Sequence, residues 1–220
     1  MLPSPQSVVQ AFINDFGTLM THAAVTLQEA IYGLFIGIAL SFVTATLMDR
    51  YPALYRALYP ILIITQTIPT IAIAPLLVLW MGFGMAPKIT LVVICTFFPI
   101  TVGLLDGYAS ADPDALRLLR SMGATRRQIF FHIKLPSSLG YFFAGLRVSV
   151  SYAMVGAVIS EWLGGFEGLG VYMTRVKKAY SFDKMFAVIL LIIIVSLLLM
   201  WLVSLLRRLA MPWEQVEKEK

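Results

Sequence analysis

Long apolar stretches, separated by short charged segments, dominate the chain, and five of them are long enough to cross a bilayer. The predicted spans cover about 24–48, 58–81, 89–108, 137–160 and 185–206. An α-helix rises about 1.5 Å per residue, so roughly 20 apolar residues cross the hydrocarbon core of a membrane. The pattern therefore predicts an all-α membrane protein with five transmembrane helices.

The second span differs from the other four because it contains three prolines, Pro60, Pro69 and Pro75. Proline removes a backbone donor and breaks the helical hydrogen-bond ladder, so we expect a kinked or locally unwound helix. Unwound backbone at membrane depth is tolerated only inside protein or beside a watery cavity. Polar side chains beside the break are therefore candidates to line a transport pathway, although hydroxyls beside prolines can also satisfy freed carbonyls. These candidates are Gln66, Thr67 and Thr70.

The longest polar interval, residues 112–136, predicts two short helices joined by a glycine hinge. An aspartate–proline pair can cap the first helix, and Gly123 is the residue type that ends helices in a left-handed conformation. Thr125 and Gln128 have the spacing of a capping box that starts the second helix, which we expect to end at Pro136. The expected apolar contacts of this helix pair are Leu118, Met122, Ile129, Phe130 and Ile133. Five basic side chains around the pair suggest that it docks on another protein.

The membrane region is expected to cover residues 24–208, with the polar loop at 110–136 inside it and flanking segments at 1–23 and 209–220. Between the fourth and fifth spans, a glycine-rich stretch is followed by apolar residues at helical spacing, from Leu169 to Tyr180. This spacing favours a helix that lies at the membrane interface.

The composition supports a lipid environment, because 59% of the residues are hydrophobic and 13% are charged. Soluble domains average about 45–50% apolar and about 25% charged residues. Eleven of the 17 lysines and arginines lie on the side of the polar loop, and five lie on the other side. Since cytoplasmic loops carry the excess of positive charge, the loop and the C-terminus are expected in the cytosol and the N-terminus outside. The basic clusters flank apolar spans without a base-stacking pattern, which argues against nucleic-acid binding.

Ionisable residues within or beside the spans are the remaining chemical candidates. Arg147 lies inside the fourth span, where it can line the pathway or extend its charge to the cytosolic interface. Glu161, at the external end of this span, can gate the pathway or contact substrate, or it can pair with a basic residue such as Lys177. Glu29 and Asp106 are interpreted as interface residues. These carboxylates lie in different spans, so they form no evident catalytic dyad for a membrane-embedded enzyme, which is the alternative class.

The polar loop resembles a motif of ABC importer permeases, those supplied by an extracellular binding protein. The family motif consists of Glu-Ala-Ala, three residues, Gly, nine residues, Ile, one residue and Leu-Pro. Gly123, Ile133 and the pair at 135–136 match its second half at this spacing. The first half differs, since positions 117–119 hold Arg-Leu-Leu.

Further segments resemble the nitrate/sulfonate/taurine-type branch of these permeases. They are TIPTIAIAPLLVLWMGFG at 67–84, AGLRVS at 144–149 and GLGVYM at 168–173. The segment SEWLGG at 160–165 is similar to permeases for pyrimidine precursors of thiamine. Many relatives carry a further helix before the LPSP segment, so either five spans suffice or the start of this chain is unusually short.

The resemblance implies the type I ABC importer permease fold, in which the polar loop is a cytoplasmic coupling helix that contacts an ATPase. The residues implied in coupling are Leu118, Leu119, Gly123, Ala124, Thr125, Gln128, Ile129, Phe130, Ile133, Leu135 and Pro136. The implied partners are cytoplasmic ABC ATPase subunits, an extracellular substrate-binding lipoprotein, membrane lipid and a second permease copy. We expect that copy to be identical, with a paralogue as the alternative.

The chain itself has no G-x-x-x-x-G-K-S/T loop, so ATP and magnesium are expected on the partner ATPase and no cofactor or metal on this chain. The resemblance therefore implies a transport subunit and not an enzyme. The implied substrate is a pyrimidine precursor of thiamine. Nitrate, sulfonate, taurine and other vitamin precursors are the alternatives.

Overall fold

The computed structural model describes residues 3–212, and every regular element within that range is helical, as predicted. The elements are α1 Pro5–Asn14, α2 Phe16–Arg50, α3 Pro52–Thr67, α4 Thr70–Met81, α5 Met85–Ala109, α6 Pro113–Ser121, α7 Arg126–Ile129, a π-helix Phe130–Lys134, α8 Leu135–Gly164, α9 Leu169–Lys178 and α10 Phe182–Ala210. The helix expected between the fourth and fifth spans is α9. Its bounds fall within the predicted stretch.

Four helices in the described part of the chain are long and apolar enough to cross a membrane: Phe16–Arg50, Met85–Ala109, Arg126–Leu163 and Phe182–Ala210. α3 and α4 pass the same test only as a pair, and this pair is bent by 102°. The break falls at residues 68–69, where Pro69 lacks an N–H group and holds Ile68 out of the helical conformation. The predicted interruption of the second span is therefore confirmed at Pro69, whereas Pro60 and Pro75 lie inside α3 and α4.

The helix end predicted at Pro136 is wrong, because the chain remains helical from Arg126 into the fourth span. α7 passes directly into the π-helix, and Pro136 is the second residue of α8. A proline ring normally clashes with the carbonyl four residues earlier, and the wider π turn before α8 relieves this crowding. The N–H of Leu135 accordingly donates to the carbonyl of Phe130, five residues back.

The chain divides into two compact units, and the first comprises the described residues up to Gly37, Ile68–Thr96 and Val150–Met200. One apolar cluster of this unit joins α9 to α2 and α10: Leu19, Leu169, Tyr172, Val176, Val188 and Leu191. Another joins α2, α5 and α8 through small residues, with Ala30, Ala153 and Ala157 packed around Val92. Small side chains allow these helix backbones to approach closely, as membrane helices do.

The second unit comprises Ile38–Thr67, Phe97–Ser149 and the described residues from Trp201 onward. Within it, α5 and α8 approach closely, since a Cβ atom on Gly107 would lie 2.5 Å from Ser138 Cα. The segment 112–134, made of α6, α7 and the π-helix, connects these two helices and is called the hairpin below. The base of the hairpin is therefore held by a tightly packed helix pair.

Candidate functional site

The first helix of the hairpin is capped at both ends by local hydrogen bonds. Asp112 accepts a bond from the N–H two residues further on, at 2.9 Å. At the other end, Gly123 has a φ of 78°, in the left-handed region. Its N–H donates to the Arg120 carbonyl at 3.1 Å, and the Ala124 N–H donates to the Leu119 carbonyl at 2.9 Å. This pair of bonds is the Schellman arrangement, so the predicted glycine stop is confirmed.

A capping box starts the second helix of the hairpin, as the sequence predicted. The N–H of Thr125 donates to Gln128 Oε1 at 2.7 Å, and the N–H of Gln128 donates to Thr125 Oγ1 at 3.3 Å. In the following π turn, His132 Nδ1 lies 2.9 Å from the Gln128 carbonyl. The starts of both helices and the hinge between them are therefore fixed by bonds within the hairpin itself.

The apolar side chains of the hairpin divide into exposed and buried sets. Leu118 and Met122 are 61% and 72% exposed, so they are not the interhelical contacts that the sequence predicted. Ile129 is buried, and the Phe130 ring packs 5.3 Å from the ring of Tyr108 on α5. The other apolar or small coupling candidates are partly buried: Leu119, Ala124, Ile133, Leu135 and Pro136. Large apolar side chains left exposed among arginines are typical of a contact surface for another protein.

An ion pair ties the base of the hairpin to the end of α2. Lys134 Nζ lies 2.6 Å and 2.8 Å from the two carboxylate oxygens of Asp49. Nearby, the hydroxyls of Thr46 on α2 and Tyr108 on α5 lie 3.4 Å apart. The hairpin therefore combines a rigid interior, an anchored base and an exposed tip, which is the geometry of a lever.

The pathway candidates beside the break in the second span are partly engaged by the helices themselves. Gln66 and Thr67 are exposed at the end of α3, and the Thr67 hydroxyl donates to the Ile64 carbonyl at 2.8 Å. Thr70, the first residue of α4, is half-buried and within hydrogen-bonding reach of Cys95. At Thr67 the structure thus shows the alternative in which a hydroxyl satisfies a carbonyl at a helix end.

The two charged pathway candidates lie in different environments. Arg147 is exposed on α8, whereas the Glu161 side chain is almost completely buried. The described partners of Glu161 do not include Lys177: Thr26 Oγ1 donates to one carboxylate oxygen and the Gly170 N–H donates to the other, both at 2.6 Å. Neither compact unit, within the described residues, gathers all five candidates: Gln66, Thr67 and Arg147 belong to the second unit, and Thr70 and Glu161 to the first.

Glu161 is part of a buried polar cluster that the sequence did not predict and that we name the capping cluster: His22, Thr26, Glu29, Lys88 and Glu161. Lys88 Nζ lies 2.6 Å from Glu29 Oε1, and Glu29 interacts electrostatically with Glu161. The interpretation of Glu29 as an interface residue is wrong, because its side chain is 0% exposed. Among residues 3–212, no group of three or more histidine, cysteine or carboxylate side chains could hold a metal ion.

The capping cluster supplies the hydrogen-bond acceptors that the start of α9 lacks. Gly168 stands at the N-cap position and has no side chain to accept a bond. The backbone N–H groups of residues 168, 169 and 170 donate instead to His22 Nδ1 at 3.0 Å, Thr26 Oγ1 at 2.8 Å and Glu161 Oε2 at 2.6 Å. The first N–H groups of a helix have no partner within it and form the positive end of its dipole, so an acceptor carboxylate stabilises this start.

The turn that enters α9 requires glycine. Gly168 has a φ of 122°, which side chains rarely tolerate, and a Cβ atom there would overlap the Glu161 carboxylate. Without a side chain, the backbone comes directly against the buried carboxylate. Gly168 therefore permits the contact on which the cap of α9 depends.

A second polar contact holds α9, at the junction of α1 and α2. Asp15 accepts a hydrogen bond from the Tyr172 hydroxyl and lies 2.8 Å from Lys184 Nζ. These bonds, first from Lys184 and then from Tyr172, lower the pKa of Asp15. Burial, followed by the bond to Asp15, raises the pKa of Tyr172. The two polar contacts together fix α9 against α2 and the start of α10.

A family model described as the binding-protein-dependent transport system inner membrane component matches residues 33–210. The chain belongs to this family. It is 38% identical over 216 residues to the formylaminopyrimidine transport permease protein ThiX of Halalkalibacterium halodurans, covering 98% of this chain and 86% of that protein. It is 28% identical over 219 residues to the taurine transport system permease protein TauC of Escherichia coli, covering 96% and 80%. These matches confirm the branch of permeases that the sequence motifs indicated.

The fold of the permease is also similar to that of solved importers. A chain of the MetNI methionine ABC transporter in an inward-facing conformation matches with a TM-score of 0.76 and 19% identity, covering 86% of this chain and 95% of that one. The permease is thus a transmembrane subunit of an ABC importer in the inner membrane, with the type I fold, and not an enzyme. Members of this family work with ATPase and binding-protein partners.

A weak signal of the capping cluster is present in the sequence of the permease. His22, Thr26 and Glu29 are spaced four and three positions apart, so they share one face of α2. A polar stripe on an apolar helix faces protein or a watery space and not lipid. The partners Lys88 and Glu161 lie 59 residues after Glu29 and 135 residues after Thr26, beyond the reach of any local pattern.

Proposed function

We propose that the permease imports a pyrimidine precursor of thiamine, delivered by an extracellular binding protein and driven by ATP hydrolysis on a partner ATPase. The 38% identity with the formylaminopyrimidine permease over nearly the whole chain carries this proposal. Transport of nitrate, a sulfonate, taurine or another vitamin precursor is the alternative. The 28% identity with the taurine permease supports that alternative less strongly.

The hairpin faces the cytosol and couples the permease to the ATPase. This orientation follows from the 11 lysines and arginines on the side of the hairpin against five on the other side. Leu118 and Met122 at the exposed tip fit a groove on the ATPase, and the ion pair between Lys134 and Asp49 transmits movement of the tip to α2. The remaining coupling residues are those that the family motif implies. They keep this lever rigid.

The capping cluster has a positioning role at the expected external end of the fourth span. Both carboxylate oxygens of Glu161 are engaged by protein groups, so Glu161 holds α9 in place and does not contact substrate. The external segment that contains α9 meets the binding protein. Gln66, Thr67, Thr70 and Arg147 remain the candidates to line the pathway.

The assembly contains two copies of the permease, two ATPase subunits and one lipid-anchored binding protein. The identity of the second permease copy is an expectation from the family, and a paralogue is the alternative. ATP and magnesium belong to the ATPase subunits, because the permease has no phosphate-binding loop.

Transport by the reconstituted assembly tests the proposed substrate. The permease, its ATPase and its binding protein are incorporated into proteoliposomes with ATP on the ATPase side, and uptake of labelled formylaminopyrimidine is compared with uptake of taurine and nitrate. We expect ATP-dependent uptake of formylaminopyrimidine alone. Uptake of taurine or nitrate in its place would reject the proposed substrate while leaving the importer assignment intact.

A further inference from the structure

A cavity of about 880 Å³ lies between the end of α2 and the hairpin, within the second compact unit. Its lining combines the last residues of α2, and the residue after that helix, with residues from both helices of the hairpin. The side chains at the exposed tip of the hairpin, Leu118 and Met122, do not line it. Three residues that the family motif implies in coupling, Ala124, Ile129 and Phe130, do line it, so the cavity adjoins the surface that we assign to the ATPase.

The charge of this cavity is strongly positive. Lys134 is neutralised by Asp49, since both carboxylate oxygens lie within 2.8 Å of its Nζ atom. The four arginines that line the cavity form no ion pair with any carboxylate in the described part of the chain: Arg50, Arg120, Arg126 and Arg127. A concave site with an excess of arginine favours an anionic ligand, and the planar guanidinium group matches phosphate oxygens with two parallel bonds.

Aromatic rings lie beside two of these arginines and leave their charge unneutralised. The guanidinium carbon of Arg50 lies 5.9 Å from the centre of the Tyr51 ring, and that of Arg127 lies 5.8 Å from the centre of the Phe131 ring. A guanidinium group that is already oriented loses less conformational freedom when it binds an anion.

The depth of the cavity indicates the source of the anion. Thr46 and Leu47 belong to the last turns of a helix that is long and apolar enough to cross a membrane, so this part of the lining is expected near the edge of the hydrocarbon core. Tyr51, with an amphipathic ring, is of the residue type that marks the headgroup level. Basic pockets beside transmembrane helices on the cytoplasmic side are typical sites for anionic lipid headgroups.

We propose that this cavity binds the phosphate headgroup of an anionic phospholipid from the cytosolic leaflet. This inference rests on the proposed cytosolic orientation of the hairpin. The bound phosphate bridges Arg50 at the end of α2 and the arginines of the hairpin, so it reinforces the link that the ion pair between Lys134 and Asp49 provides. Anionic lipid then stiffens the lever and increases the coupling between ATP hydrolysis and transport.

Lipid retention by the intact complex of permease and ATPase tests this site. The complex is placed in nanodiscs of phosphatidylcholine with increasing phosphatidylglycerol, and native mass spectrometry counts the lipids that remain bound. The substitutions Arg50→Gln and Arg126→Gln are each expected to weaken phosphatidylglycerol retention about fivefold. The matched controls Arg56→Gln and Arg117→Gln remove the same charge outside the cavity and should change retention less than about twofold.

Two further arms distinguish other occupants. In the first, inorganic phosphate is added to the wild-type complex in nanodiscs of pure phosphatidylcholine, and its binding is measured. In the second, binding of the ATPase is measured for each permease variant. Equal losses of phosphatidylglycerol retention in the cavity variants and the control variants would overturn the proposal. Binding of inorganic phosphate without retention of lipid would also overturn it. Cavity variants that release the ATPase without altering lipid retention would also overturn it, because an acidic surface of the ATPase would then occupy the cavity. None of these readouts needs the transported substrate, so they stand apart from the test of the proposed function.

Discussion

The hairpin and the capping cluster solve the same problem, the stabilisation of a helix start, in opposite ways. In the hairpin, the caps of α6 and α7 join residues two to three positions apart, and the groups involved are exposed. In the capping cluster, the start of α9 is bonded to His22 and Thr26, 146 and 143 positions away, and these groups are buried. One element is stable by its local sequence and the other by the fold around it.

This difference fits what each element must do. A lever that a partner protein grips has to expose its surface, so its stability cannot depend on burial and comes from local bonds. The polar start of α9 has no such requirement, and it is enclosed by the buried side chains of neighbouring helices. A buried polar network is costly when any member loses its partner, so the capping cluster should respond to single substitutions more strongly than the hairpin does.

The largest expected effect is at the turn into α9. Gly168→Ala would place a Cβ atom on the Glu161 carboxylate at a φ of 122°, and we expect a loss of about 2–5 kcal/mol in the free energy of unfolding. Thermal unfolding of the purified wild-type and variant permeases measures this loss of stability. The control is Gly17→Ala, where an added Cβ atom would meet no other part of the structure within 4 Å and a gain of up to about 1 kcal/mol is expected. Equal stability of the two variants would contradict the assigned packing.

A comparable effect, but on transport, is expected at the hinge of the hairpin. Gly123→Pro removes the N–H that bonds the Arg120 carbonyl and excludes the φ of 78°, at a cost of about 3 kcal/mol in hairpin stability. The complex should still reach the membrane, while uptake of labelled substrate is lost. Gly123→Ala is the control, because a Cβ atom there meets nothing within 4 Å and the strain is only about 1 kcal/mol. Normal uptake by the proline variant would show that the hinge does not couple.

A smaller effect is expected from removing the Thr26 hydroxyl, which links α2, α8 and α9. Thr26→Val leaves the Leu169 N–H and one Glu161 oxygen without their partner, which should cost about 2 kcal/mol and increase hydrogen exchange at the amides of residues 168–170. The matched control on the same helix is Thr21→Val, which removes an exposed hydroxyl that donates to the Gly17 carbonyl; this substitution should cost about 0.5 kcal/mol or less. Unchanged exchange at the start of α9 in the Thr26 variant would reject the capping role.

The smallest effect concerns acid stability at Asp15. Its pKa is lowered in the folded permease by Lys184 and Tyr172, so its contribution is present above the unfolded pKa of about 3.9 and is lost as the pH falls through the folded value. Asp15→Asn should therefore reduce stability near neutral pH slightly and should flatten the decline below about pH 4. Unfolding temperatures measured from pH 3 to 7 for both proteins compare the two slopes. If the unfolding temperatures of the two proteins declined in parallel, the contact of Asp15 with Lys184 and Tyr172 would be excluded.

The comparison also explains which features could be predicted from the sequence. Asp112, Gly123, Thr125 and Gln128 make their bonds within a few positions, so spacing alone predicted the hinge and both caps. The bend at Pro69 was predictable for the same reason, because proline acts on its own backbone. Local rules were insufficient at Pro136, where the π turn preceding it lets the helix continue.

The capping cluster could not be predicted because its bonds depend on which helices pack together. A glutamate at the edge of an apolar span is typically an interface residue, yet the Glu29 side chain is buried and forms an ion pair with Lys88. Glu161 similarly accepts hydrogen bonds from the Thr26 hydroxyl and the Gly170 N–H, and Lys177 is not among its described partners. Even the exposure of Leu118 and Met122 was missed, because helical spacing alone does not tell whether an apolar side chain meets its own chain or a partner.

Cysteine accessibility tests the central claim, that the hairpin is a cytosolic lever gripped by the ATPase, most directly. In a Cys95→Ser background, Leu118→Cys is treated with a membrane-impermeant maleimide in intact cells and in inverted membrane vesicles, with and without the ATPase. Tyr180→Cys, at a position that is 80% exposed beyond α9, serves as the external reference. We expect position 118 to be labelled only in inverted vesicles and to be protected when the ATPase is bound. Labelling of position 118 in intact cells, or labelling that the ATPase does not reduce, would contradict it.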